Sequence, residues 1–264
     1  MGTDYRRLKL SRDGHVGELH LSRPDLLNRF DGELIGELGP ALAELGKDRE
    51  VRAVVFTSSG RHFSAGGDTE YMLAGNADLR VLMEQVDEGR ELFRAFADFG
   101  KPLVVALHGN SFGVATSLVL TADAIVATPT VRLSDPHVLM GLVPGDGGCV
   151  TWPANMPIVR AKRHLLWGEP LSAEDAYRLG IVTDLTDTPE EVAPRARALA
   201  AKVAELPPAA VQLTKRALNK AMQSRVAEVF DTGFYLEAIS ASTADLREAV
   251  AAFKENRPGS WQGR

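Results

Sequence analysis

Two periods alternate along the first two thirds of the chain. Short aliphatic and β-branched runs bounded by turn residues read as strands, and longer stretches with apolar residues every three or four positions read as helices. Residues 5–10 and 16–21 flank Asp13-Gly14, a turn pair, and predict a hairpin. Arg23-Pro24 ends it. Leu34, Ile35, Leu38, Leu42 and Leu45 then recur at helical spacing, with Asp31 placed to cap the helix start. Strands are expected at 53–57, 103–107, 124–127, 131–133 and 181–185, and helices at 79–99, 114–120, 158–166 and 173–179. Beyond Pro189 the strand period disappears, and 191–206, 209–222, 226–240 and 246–253 are all helical in pattern. The pattern predicts an α/β fold, with strands and helices interleaved over 1–195 and a helical region over 196–264.

A chain of 264 residues, 45% of them hydrophobic, is long enough to bury one large core. Its net charge of -5, without a Lys/Arg cluster, argues against nucleic acid or an anionic membrane as partner. The single cysteine, Cys149, excludes an internal disulfide and a cysteine-based zinc site, and is expected to pack as a small buried hydrophobe. Arg6, Arg7 and Lys9 precede no apolar stretch, and no run is long enough to span a bilayer, so the expected compartment is the cytoplasm. The six histidines lack H-x-x-x-H and H-E-x-x-H spacing, and there is no Walker loop and no G-x-G-x-x-G after a strand. No metal and no nucleotide cofactor is expected.

Three glycine-rich loops follow predicted strands, where backbone N–H groups can reach a ligand. In the first, 60–68, the pair Gly66-Gly67 either turns N–H groups outward or simply makes a tight turn. The second, 109–113, precedes a helix, whose free N–H groups and partial positive charge suit a developing oxyanion. It also spells G-x-S-x-G, the nucleophile elbow, around Ser111. A Ser111 triad needs a histidine late in the chain, yet the last is His164. The third, 135–148, holds Asp135-Pro136-His137 and, nine positions after His137, Asp146. Histidine is the natural base near neutral pH and a carboxylate can fix its tautomer, although a packed histidine and a turn aspartate would read the same way.

In this order and spacing the loops resemble the crotonase (enoyl-CoA hydratase/isomerase) superfamily. Arg23-Pro24-Asp25-Leu26-Leu27-Asn28 is similar to its opening loop, Phe63-Ser64-Ala65-Gly66-Gly67-Asp68 to its F-x-A-G-x-D loop, residues 106–123 to its A-x-x-G…A-D segment, and 141–148 to its G-x-x-P-G-x-G-G loop. Residues 253–258 resemble its C-terminal F-x-x-K-R-x-P ending, one residue short. The resemblance implies a spiral of ββα repeats, a helical tail that builds a homotrimer or dimer of trimers, and an acyl-CoA substrate, CoA being part of the substrate rather than a cofactor. It implies an oxyanion hole on the N–H groups of Gly67 and Val114, and CoA contacts at Leu27, Ala65, Asp68, Thr69 and Gly145. The two glutamates of the hydratases are replaced by Ser117 and His137. The expected catalytic groups are therefore His137 as base, Asp146 orienting it, and Ser117 orienting water or substrate. The His137–Asp146 pair also resembles that of the superfamily's β-diketone hydrolases, which cleave a C–C bond and can dispense with CoA, but the additional histidine of that subgroup is Val114 here. A silent acyl-CoA-binding relative is the third possibility. Glu237 reads as a solvated helix residue, Lys254 and Arg257 as candidates for the CoA phosphates or a charged face, and Trp152, Trp167 and Trp261 as packing residues.

Overall fold

The computed structural model describes residues 4–264. The hairpin forms from β1 (Leu8–Asp13) and β2 (Val16–Leu21), paired antiparallel. It opens a six-stranded sheet that continues through β3 (Ala53–Ser58), β4 (Leu103–Leu107), β6 (Ala124–Ala127) and β9 (Asp184–Leu185), all parallel. A smaller sheet holds β5 (Ser111–Phe112), β7 (Arg132–Ser134) and β8 (Leu171–Ser172). From β4 onward the chain visits one sheet, then the other, and crosses back through helices. This is the expected α/β architecture.

The apolar runs of β3 and β4 have both faces buried, as parallel strands covered on two sides require. Val54, Phe56, Leu103 and Val105 join the main core with Leu34 and Leu38 of α1 (Gly32–Lys47) and Phe93 and Phe96 of α3 (Leu79–Ala97). On the other face Ala53, Val55, Val104 and Ala106 meet Val192, Ala196, Ala200 and Ala204. That four-residue stripe of mostly alanine belongs to α8 (Pro189–Ala204) and brings the helix close to the sheet. The expected division at 195/196 therefore falls inside α8, a helix that covers the sheet.

Two helices escape the sequence pattern. In α2 (Thr69–Ala77) apolar residues fall on no single face, and its start is fixed by Asp68, whose side chain accepts from Tyr71 N–H. In α5 (Gly148–Asn155) the glycines and Pro153 read as loop. The tail runs as α9 (Pro208–Arg225), a π turn over Val226–Phe230, α10 (Asp231–Ala241) and α11 (Ala244–Glu255). Between β8 and these, α6 (Ile158–Trp167) and α7 (Ala173–Arg178) keep their expected places, with α4 (Val114–Val119) after β5. No helix of the described residues is long and apolar enough to cross a membrane.

Candidate active site

Backbone contacts bring the first two glycine loops together. Buried Asn28 ties the first of them to the opening loop: Oδ1 accepts from Arg23 N–H at 2.9 Å, and Nδ2 donates to Ser59 O at 2.8 Å and Phe63 O at 3.1 Å. Phe63 N–H and Ala65 N–H donate to Asn110 O and Leu27 O, each at 2.9 Å. Gly66, at φ 82°, lies so close to the second loop that a β-carbon there would stand 2.7 Å from Phe112 O. Only glycine meets both demands. Neither Gly67 N–H nor Val114 N–H donates to the chain in a turn, loop or cap contact. Val114 opens α4, where the first amides have no helical partner.

Opposite them lies a buried cluster of ionisable groups. His137 starts a 3-10 turn (His137–Met140) after β7. Its Nδ1 is hydrogen-bonded to Asp135 Oδ1, and its Nε2 stands 3.2 Å from Asp146 Oδ2 and 4.0 Å from Glu237 Oε1. Ser117 Oγ donates to Asp146 Oδ1 at 3.1 Å. The sequence expected Asp146 beside His137, and the structure brings two carboxylates to the ring, Asp135 on Nδ1 and Asp146 near Nε2. Burial alone favours the neutral imidazole, but the charges of Asp146 and Asp135 hold His137 well above its ordinary value. Burial, and next the charge of Asp146, push Glu237 up to about 8. Cys149, beside the cluster, is raised to about 11 by burial and is a thiol rather than a thiolate at neutral pH.

Glu237 is the site residue that sequence reasoning placed in solvent. Its side chain is 17% exposed, and its Oε2 is buried without a hydrogen-bond partner. His137, Asp146 and Glu237 each bring one ligand atom within 4.8 Å of the others, close enough to share a cation. Nε2 is already engaged with Asp146, so the cluster is read as an acid–base group.

Gly67, Val114, His137, Asp146 and Glu237 line one cavity whose other walls are almost wholly apolar, among them Phe30, Leu82, Phe93 and Phe234. A larger cleft shares Gly67, Met72, His137 and Leu142 with it. Of the expected CoA contacts, Leu27, Ala65 and Thr69 line that cleft. Asp68 and Gly145 line neither space. Asp68 caps α2 and pairs with Arg29 at 2.6 Å, while Gly145 packs against Gly233 of α10. Ser117 is fully buried and touches Asp146 rather than either cavity. Ser111 is buried too, and accepts a hydrogen bond from Thr116 Oγ1 instead of meeting a histidine. Trp152 is buried as expected, whereas Trp167 and Trp261 are exposed.

Two glycine loops facing a buried histidine across one cavity agree with what the chain is similar to. The profile of the enoyl-CoA hydratase/isomerase family matches residues 11–264. The chain belongs to that family. Relatives include the short-chain-enoyl-CoA hydratase of Clostridium acetobutylicum, 29% identical in an alignment of 255 positions that covers 94% of each chain. Among solved structures, an enoyl-CoA hydratase/isomerase from Mycobacterium paratuberculosis superposes with a TM-score of 0.89 at 35% identity, over 95% of this chain and 99% of that one. A β-diketone hydrolase from Anabaena, bound to (S)-3-oxocyclohexyl acetic acid, superposes with a TM-score of 0.84 at 28% identity, over 92% and 96%. The crotonase fold and membership of an enzyme family follow.

Proposed function

We propose that this enzyme acts on an acyl-CoA thioester. The carbonyl oxygen rests on the N–H groups of Gly67 and Val114, and His137 with Glu237 moves a proton beside that carbonyl. The observation that carries the reading is that all four groups line the same cavity. Two preorganised donors stabilise the enolate or tetrahedral anion, each typically by about 2.7–4 kcal/mol. Water addition, isomerisation or hydrolysis next to a thioester needs one group to take a proton and another to give one. Ser117 and His137 stand where hydratases keep glutamates, and Glu237, arriving from α10, restores a second titratable partner. With Asp135 on Nδ1, Nε2 is the nitrogen that exchanges protons. His137 and Glu237 both hold protons more firmly than their ordinary values. The reactive form has one proton fewer than the fully protonated pair, so one member is base while the other is acid. This acid–base pair speaks against a silent acyl-CoA-binding relative.

The exposed apolar side chains Tyr235, Leu236 and Ile239 of α10 support assembly into a trimer or dimer of trimers. Exchange of acyl-CoA α-protons in heavy water, followed by NMR, tests the central step. Wild-type protein exchanges them and His137→Ala does not. A panel of acyl-CoA esters that all stay inert to both exchange and turnover defeats the proposal.

A second reading, a CoA-independent β-diketone hydrolase, is favoured by the compact apolar cavity around the His137–Asp146 pair. There His137 activates water for attack on one ketone. Turnover of a bicyclic β-diketone without CoA, with no action on CoA esters, selects it.

A further inference from the structure

The interior of α3 carries a glycine, Gly89, whose missing side chain is replaced by a ring from another helix. Glycine is unfavourable in a helix interior, yet it stands in the middle of Leu79–Ala97. A β-carbon on Gly89 would stand 2.5 Å from Phe234 Cζ and 3.2 Å from Cε2, so the tip of the Phe234 ring occupies the space that any other residue would need. Phe234 also packs edge-on against Phe230 at 5.5 Å, and Phe230 stacks on Phe93 at 4.5 Å. The ring is therefore seated on bare helix backbone and braced by an aromatic pair.

Gly89 and Phe234 both line the catalytic cavity, and neither lines the larger cleft. They belong to the part of the cavity beyond the junction at Gly67, Met72, His137 and Leu142. On α10, Phe234 shares the cavity face with Glu237, Ala238 and Ala241, the spacing of one helix side. The two alanines leave room where Phe234 takes it up. The same wall offers no partner to a charge. No lysine or arginine lines the cavity. Tyr71 and Gln85, which do, spend their polar atoms elsewhere: the Tyr71 hydroxyl donates to Glu88 at 2.7 Å, and Gln85 Nε2 donates to Tyr71 O at 2.6 Å. A carboxylate carried in on an acyl group would lose its water without gaining a partner, and would face Asp146 and Glu237 as well.

We propose that Gly89 and Phe234 together determine acyl specificity: the acyl group is an uncharged hydrocarbon, and the Phe234 ring, seated on Gly89, sets the length at which it stops. The inference rests on the acyl-CoA reading above. The two residues then act in opposite directions. Shortening Phe234 opens the wall. A β-carbon on Gly89 stands on fixed helix backbone, so the ring gives way and moves into the cavity. One methylene gained or lost in an apolar pocket discriminates between substrates by about 10- to 200-fold.

Exchange of α-protons in heavy water, followed by NMR, tests this over straight-chain acyl-CoA esters of increasing length and one ester with a terminal carboxylate. The wild-type rate is expected to fall past a limiting length. Phe234→Ala should raise the rate just past that limit, relative to the rate on the shortest ester, by at least about 10-fold. Gly89→Ala should lower the relative rate on the longest accepted ester by a similar factor. Phe234→Leu keeps the wall filled and should move the limit the same way as Phe234→Ala. In the double variant Gly89→Ala, Phe234→Ala the ring is gone, so the glycine substitution should lose its effect. A limit that stays in place in Phe234→Leu and Gly89→Ala, a wild-type rate with no limit, or equal exchange of the carboxylated ester overturns the assignment and leaves the acyl-CoA reading standing. Wild-type protein that exchanges no ester at all overturns both.

Discussion

The main chain of Gly145 lies against Gly233 so closely that a β-carbon on Gly145 would stand 2.2 Å from the Gly233 carbonyl oxygen. This contact sets the distance between the loop that carries Asp146 and the helix that carries Glu237. The close approach is one-sided, since a β-carbon on Gly233 would meet nothing nearer than Gly145 Cα at 3.6 Å. Gly145→Ala is expected to push α10 outward, lowering stability by about 1–3 kcal/mol and activity with it. Gly233→Ala is expected to sit within ordinary contact distance. Thermal melts and steady-state assays on the two variants check the asymmetry.

Val114→Pro removes the N–H proposed as one of the two oxyanion donors. It is the first residue of α4, where proline is well tolerated and only the N–H is lost. Val114→Pro should fold normally and lose about 10²- to 10³-fold in kcat. A folded Val114→Pro variant with wild-type kcat would remove Val114 from the hole.

Asp135 holds the ring of His137 from the side away from the cavity. Asp135→Asn is expected to lower kcat at least about 10-fold, and up to ~10⁴-fold if the wrong tautomer results, with little change in KM. His137→Ala is expected to lose about 10²- to 10⁴-fold. A KM effect alone in Asp135→Asn would show that it shapes binding rather than proton transfer.

Activity should rise with pH only well above the ordinary histidine value of about 6.5. The base form of His137 appears only there, because two carboxylates favour its protonated form. The limb should shift to lower pH in Asp146→Asn, which removes one of those charges. A pH-independent rate through that limb would contradict the shared-proton pair.

The same proton affinity sets a stability trend. Glu237 is raised from 4.5 to about 8, so the folded state binds its proton more tightly than the unfolded chain does. Its contribution is fully favourable below about 4.5 and is lost as pH climbs through 8. Glu237→Gln, which cannot ionise, should therefore melt higher than wild type, with a margin that widens from pH 5 to pH 8. Denaturant midpoints across that range measure it.

Much of the fold could be read from the residues, and so could several of the residues that share the cavity wall. Strands such as β3 and β4 announce themselves because residues buried on both faces must all be apolar. Gly67 and Val114 stand out through the family resemblance of their two loops, and both line the cavity that His137 borders. His137 stands out for the same loop grammar. Which carboxylate meets which ring nitrogen was not legible, because it depends on the 3-10 turn that starts at His137. Asp68 and Gly145 matched family positions but spend themselves on a helix cap and on backbone packing. Glu237 was hidden for another reason. It sits in a helix with exposed neighbours on both sides, and nothing local distinguishes it from a solvated glutamate.

What turns Glu237 inward is linked to the wider turn at Val226–Phe230 that joins α9 to α10. Such a turn holds one residue more than a regular helical turn, and it fixes the rotational phase of everything beyond it. Each residue added or removed rotates a helix by about 100°. Losing one residue from that segment would swing Glu237 and Phe234 off the cavity wall together. The buried carboxylate facing His137 and the apolar wall beside it are thus geared to a single irregularity in the tail.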